Sequence, residues 1–161
     1  MTPQWTTLII VHAVAASYSL LFGAFQLLRR RKGGRLHRVI GRVWVVAMYV
    51  VCFTSFGIQT LNGGFSWLHA LSLLTIGTVS VGLWAAVTRR IPAHKNFMTG
   101  SYFGILGAFV GVVAVPSRRI PSMAAHDLPM LLLWVAALVL TAVFTVVGIR
   151  NLVKGNRPVA A

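Results

Sequence analysis

Residues 67–88 read "WLHALSLLTIGTVSVGLWAAVT", 22 residues without a charged side chain, closed at once by Arg89 and Arg90. As a helix rising about 1.5 Å per residue, the run crosses the roughly 30 Å of a bilayer's hydrocarbon core. The two arginines end it where a membrane surface belongs. Runs of the same kind occupy Trp5–Leu28, Val43–Gly57, Phe97–Val115 and Leu128–Ile149. The second is short unless it is extended to Val39–Gln59, which carries Arg42 to the membrane edge, where a long side chain reaches the interface. The sequence thus predicts an all-α integral membrane bundle of five transmembrane helices.

Composition agrees. Of 161 residues, 57% are hydrophobic and 10% charged, against about 25% charged in a soluble domain. A net charge of +14 would suggest nucleic acid in a soluble chain, but here its position argues otherwise. Arg29, Arg30, Arg31, Lys32, Arg35, Arg38 and Arg42 lie between spans one and two. Arg89, Arg90 and Lys95 lie between spans three and four, and Arg150, Lys154 and Arg157 follow span five. Of the 15 basic residues only Arg118 and Arg119 fall on the other side. The positive-inside rule then places the N-terminus outside and the C-terminus in the cytoplasm. Anionic lipid headgroups supply the counter-charge, and nucleic acid is not expected. Span one is too long for a signal-peptide core and has no basic stretch before it, so it is expected to stay.

Turn chemistry separates the spans. "GG" at 33–34 and 63–64 marks turns, and "QTLNGGFS" (59–66) and "PSRRIPSMAAHD" (116–127) read as short links. Pro92 and Pro129 suit first turns, with Asp127 as an N-cap. Trp5 and Trp67 fit an outer aromatic belt and Trp44 an inner one. Cys52, alone and mid-span, excludes an internal disulfide and reads as a small hydrophobe. Asp127, the one acidic residue, excludes paired-carboxylate catalysis within the chain.

Sliding the chain against itself by 57 residues sets "VHAV" (11–14) on "LHAL" (68–71) and His37–Arg38 on His94–Lys95. Two hairpins of the same sense result, about 5–60 and 66–116, with an extra helix at 128–150. His12 and His69 fall in the outer half of spans one and three, and His37 and His94 at the inner face. Facing histidines in a helical bundle form a haem-iron site. The ordinary use of such a residue is a hydrogen bond to a neighbouring helix or, at the inner face, contact with headgroups. For haem propionates, Arg35, Arg38 and Arg42 are the inner candidates and Arg118 and Arg119 the outer ones. Topology marking is the plainer use of the inner set. Gly23, Gly82, Gly104, Gly107 and Gly111 would admit a flat macrocycle or a close helix, and "GAFVG" (107–111) is a packing motif. His126 beside Asp127 reads as a surface pair, with proton handling or outer ligation as alternatives.

"LHRVIGR" (36–42), Gln26 before a basic loop, the outer histidine of span one and "HKNFM" (94–98) resemble the domain-of-unknown-function 2306 family of bacterial integral membrane proteins, over roughly residues 8–120. That family usually carries an aromatic two residues after an "HR"-type pair, whereas Asn96 stands there and Phe97 follows. The resemblance implies the bacterial cytoplasmic (inner) membrane and supplies no activity. More loosely, the pattern is similar to di-haem transmembrane cytochromes b, in which alternate helices supply each histidine pair. That likeness implies His12 and His69 at an outer haem and His37 and His94 at an inner one. It departs in that Arg38 and Lys95 adjoin the inner pair, where those families are apolar.

The leading expectation is a b-type haem protein carrying electrons across the membrane, with haem b at one or two sites per chain. Its donor or acceptor would be a quinone, a small reductant or oxidant, or a redox partner protein, since no flavin or nicotinamide fingerprint is present. The alternative is a non-catalytic accessory or structural subunit of a larger membrane complex, its histidines only hydrogen-bonding. A transporter ranks last, with Thr54, Ser55, Thr75 and Thr78 as its only midplane polar groups.

Overall fold

The Thr6 hydroxyl accepts from the Ile9 N–H (3.3 Å) and starts α1, Thr7–Leu28. The computed structural model describes residues 6–58, 67–115 and 119–155, and every regular element among them is a helix. α2 spans Arg35–Phe56, α3 Trp67–Val87, α4 Ile91–Val113, α5 Arg119–His126 and α6 Leu128–Gly155. All but α5 are long and apolar enough to cross a membrane, so the five expected spans are present. Trp5, the link 59–66, Arg118 and Arg157 lie outside the described residues.

The boundaries differ from the apolar runs in an instructive way. α2 and α4 begin at Arg35 and Ile91 rather than Val43 and Phe97, and α6 passes Ile149. A basic side chain at a helix end reaches water while its backbone stays in the hydrogen-bond ladder, so the helix outruns the hydrophobic stretch. α5 occupies part of the short link between spans four and five. Pro121 sits in its first turn, where a missing N–H leaves nothing unpaired. Asp127 caps α6 as expected, its carboxylate accepting from Met130 N–H at 3.4 Å.

Tight turns make each hairpin antiparallel. Gly33 takes φ +82°, and Gly34 is the N-cap of α2. α3 ends in a Schellman turn. The Arg90 N–H bonds Ala85 O (2.8 Å) and the Arg89 N–H bonds Ala86 O (3.2 Å). Arg89 accepts the left-handed conformation this needs, with φ 60°.

α1, α2, α3 and α4 form a ring in that order, α4 closing on α1, so α1 stands diagonal to α3 and α2 to α4. α6 packs outside against α1 and α2, and α5 joins α6 to α4. Phe22, Ile40, Trp44, Met48, Val79 and Ile105 fill the centre. Trp44 is therefore a core residue and not part of an inner belt. Its indole N–H donates to Ser19 O at 2.8 Å, and the ring lies where Gly23 offers no side chain. Between lipid-facing helices, packing and polar bonds supply the cohesion that burial from water supplies elsewhere. Ser55 pairs with Ser72 (2.7 Å), Tyr49 with Ser80 (2.8 Å), Thr78 with Ser101 (2.9 Å), and Tyr18 donates to Thr141 (2.7 Å). Gly104 and Gly107 face open space, and Gly111 meets only the Trp67 ring at 3.9 Å, so among the described residues "GAFVG" seats no helix tightly.

Candidate functional site

His37 in the first turn of α2 and His94 in the first turn of α4 project from diagonal helices at the basic end. Their ring centres are 6.4 Å apart with the planes at 89°. Among the described residues no α2 Cα lies within 8 Å of an α4 Cα, so only side chains cross this diagonal. Both histidines are half-buried.

Hydrogen bonding fixes which nitrogen of each ring carries the proton. The His94 Nδ1 lies 2.8 Å from Gly82 O, and a carbonyl only accepts, so Nδ1–H donates and Nε2 keeps its lone pair. Gln26 holds the other ring. Its Nε2 donates to His37 O (2.8 Å), which turns Oε1 toward His37 Nδ1 at 3.1 Å. His37 thus also donates from Nδ1 and keeps a basic Nε2. An imidazole anchored through Nδ1–H to an oxygen is the arrangement in which histidine serves as a metal ligand.

The quoted motifs explain these anchors. Gly41, one turn after His37, leaves the space in which Gln26 lies, since a Cβ there would stand 3.3 Å from Gln26 Nε2. Gly82 likewise seats Met98, one turn after His94, because its Cβ would meet Met98 Cε at 3.0 Å. In "HRVIGR" and "HKNFM" the histidine and the residue four positions on therefore serve one seat.

The outer histidines are handled differently. Thr54 Oγ1 gives its one proton to Val50 O (2.6 Å) and so accepts from His12 Nδ1 (2.9 Å). His69 is buried, its ring 5.9 Å from that of Phe56. Both thus lean on α2, and no ring contact joins them among the described residues. Of the four midplane polar groups, Thr54, Ser55 and Thr78 are committed to bonds between or within helices, and Thr75 is buried.

Of the arginines expected at the inner site, Arg38 bears electrostatically on His37, along with Arg29 and Lys32. Arg35 and Arg42 are exposed, Arg35 bordering a groove with Val39, Ile149, Leu152 and Val153 between α2 and α6. Arg118 and the side chain of Arg119 lie outside the described residues. His126 is exposed at the end of α5. Two residues escaped the sequence reading as parts of the site. Gln26 is one, read there only as part of the family pattern, although the glycine one turn after His37 also signalled it. Arg29 is the other, its Nη1 buried without a hydrogen-bond partner among the described residues.

No curated protein and no solved structure matches the chain. The family described as "Predicted membrane protein (DUF2306)" matches residues 9–147, from α1 well into α6. With five spans in a helical bundle and this match over most of its length, the chain is a multi-pass membrane protein and belongs to the DUF2306 family.

Proposed function

We propose that this chain is a b-type haem protein, whose iron His37 and His94 would hold, that passes electrons across the membrane. The carrying observation is the inner pair itself. Two imidazoles on opposite sides of one iron, each bonded at about 2 Å, have ring centres roughly 6–6.5 Å apart, and these stand at 6.4 Å. No cluster of three or more His, Cys, Asp or Glu able to hold a metal exists among the described residues. A two-histidine set suits an iron whose other four positions a porphyrin fills, whereas structural zinc takes four ligands. When bound, haem supplies one-electron chemistry. Gln26 and the Gly82 carbonyl orient the rings and keep both Nε2 atoms basic, and the basic end faces the cytoplasm and its anionic lipids. Quinol or a partner protein is the donor or acceptor. The accessory-subunit reading draws on the same bonds, since His12–Thr54 and His37–Gln26 also tie α1 to α2.

A reduced-minus-oxidised spectrum of the purified protein, with haem measured as its pyridine complex, separates the two. Sharp b-type bands lost in His37→Ala and retained in His12→Ala are expected. A colourless protein from haem-replete cells leaves the histidines as helix-to-helix bonds and sinks the cytochrome reading.

A further inference from the structure

Arg29 is the C-cap of α1, its N–H bonded to Phe25 O at 3.1 Å. It follows Gln26 by three residues, so it lies one turn further along the same helix face, beneath the residue that grips His37. Its neighbours Arg30, Arg31 and Lys32 are exposed, but Arg29 buries Nη1 with no hydrogen-bond acceptor among the described residues. A guanidinium nitrogen removed from water without a partner is costly, so a partner is expected there, and for a fixed cation an anion serves best. This chain cannot provide that anion from its side chains. Its single acidic residue, Asp127, caps α6 a full helix length away, at the other end of the bundle.

We infer that Arg29 holds a carboxylate of the tetrapyrrole bound between His37 and His94. This assignment rests on the haem reading and deepens it. The guanidinium fork matches a carboxylate in two parallel hydrogen bonds, and the acid groups of haem hang from the edge of the ring that the two histidines would ligate. A lipid phosphate is the competing oxyanion. It belongs to the bilayer surface, where exposed Arg30, Arg31, Lys32 and Arg35 already stand, while Arg29 Nη1 is shut off from solvent. Arg38, one of the three inner candidates named from the sequence, is exposed and bears on His37 through its charge.

The test titrates full-length protein, purified from haem-limited cells, with haem and with haem dimethyl ester, which keeps the iron and loses both carboxylates. Binding is read from the Soret band. The wild type should prefer haem over the ester by roughly ten-fold or more, the worth of a charge-assisted bond. Arg29→Gln should erase that preference and leave ester affinity unchanged, and Arg29→Lys, which keeps charge but not the fork, should restore part of it. His37→Ala should weaken both ligands alike. A preference that survives Arg29→Gln overturns the assignment, as does equal weakening of both ligands. If phosphatidylglycerol, added without haem, raises the melting temperature of the wild type and not of Arg29→Gln, the anion is a lipid phosphate. Wild-type protein that binds neither porphyrin refutes the haem reading itself and takes the Arg29 assignment with it.

Discussion

The two hairpins hold their inner histidines by opposite means. In the first, the bulk is on the leading helix and the gap on the following one, Gln26 of α1 lying over Gly41 of α2. In the second, the gap leads and the bulk follows, Met98 of α4 lying over Gly82 of α3. The 57-residue offset sets Gly41 on Met98 and Phe25 on Gly82, so bulk and gap change places from one hairpin to the other. A seat one turn beyond the histidine is kept while its chemistry changes. His37 is held by a side-chain amide that one substitution removes, whereas His94 is held by a backbone carbonyl that none can. The pairing is thus symmetric in depth and asymmetric in vulnerability.

The largest effect should come from the two histidines proposed as ligands. His37→Ala and His94→Ala are each expected to abolish bound haem, measured as the pyridine complex. Survival of haem in either would break the pairing, whatever its anchors. Next, Gln26→Leu, which copies Leu83 at the matching position, removes an anchor behind a ligand. It should weaken haem roughly ten- to hundred-fold, while Leu83→Gln, altering an exposed residue, leaves the titration unchanged. Equal losses would show that the two hairpins are anchored alike after all.

Packing effects should be smaller. Gly23→Ala places a Cβ on the Tyr102 ring and 2.8 Å from Trp44 Nε1, and about 1–3 kcal/mol of stability should be lost in detergent unfolding. Gly104→Ala meets open space and should cost nothing, because alanine is the better helix former. Smallest is Thr54→Val, which removes the acceptor of His12. A loss of about 0.6 kcal/mol, the average for a bond between membrane helices, with an unaltered haem spectrum, is the expected result. A changed spectrum would make the outer histidine a partner of the inner pair.

The sequence by itself determined the five spans, their order and the side on which positive charge collects. Transfer free energy from water to hydrocarbon is a sum over residues and needs no neighbours, so 22 uncharged residues closed by Arg89–Arg90 suffice to define α3. The sequence also set His37 and His94 at one depth, because helical rise is constant along the chain. It could not say which histidines converge. Each residue turns a helix by about 100°, so a small rotation of α2 decides whether α1 and α3 meet across the ring or lean on Thr54 and Phe56 between them. The inward turn of Trp44 and the seat of Gln26 were settled the same way. Each depends on what the neighbouring helix leaves empty, as Gly23 does for Trp44 and Gly41 for Gln26, and a missing side chain acts only once two helices are packed.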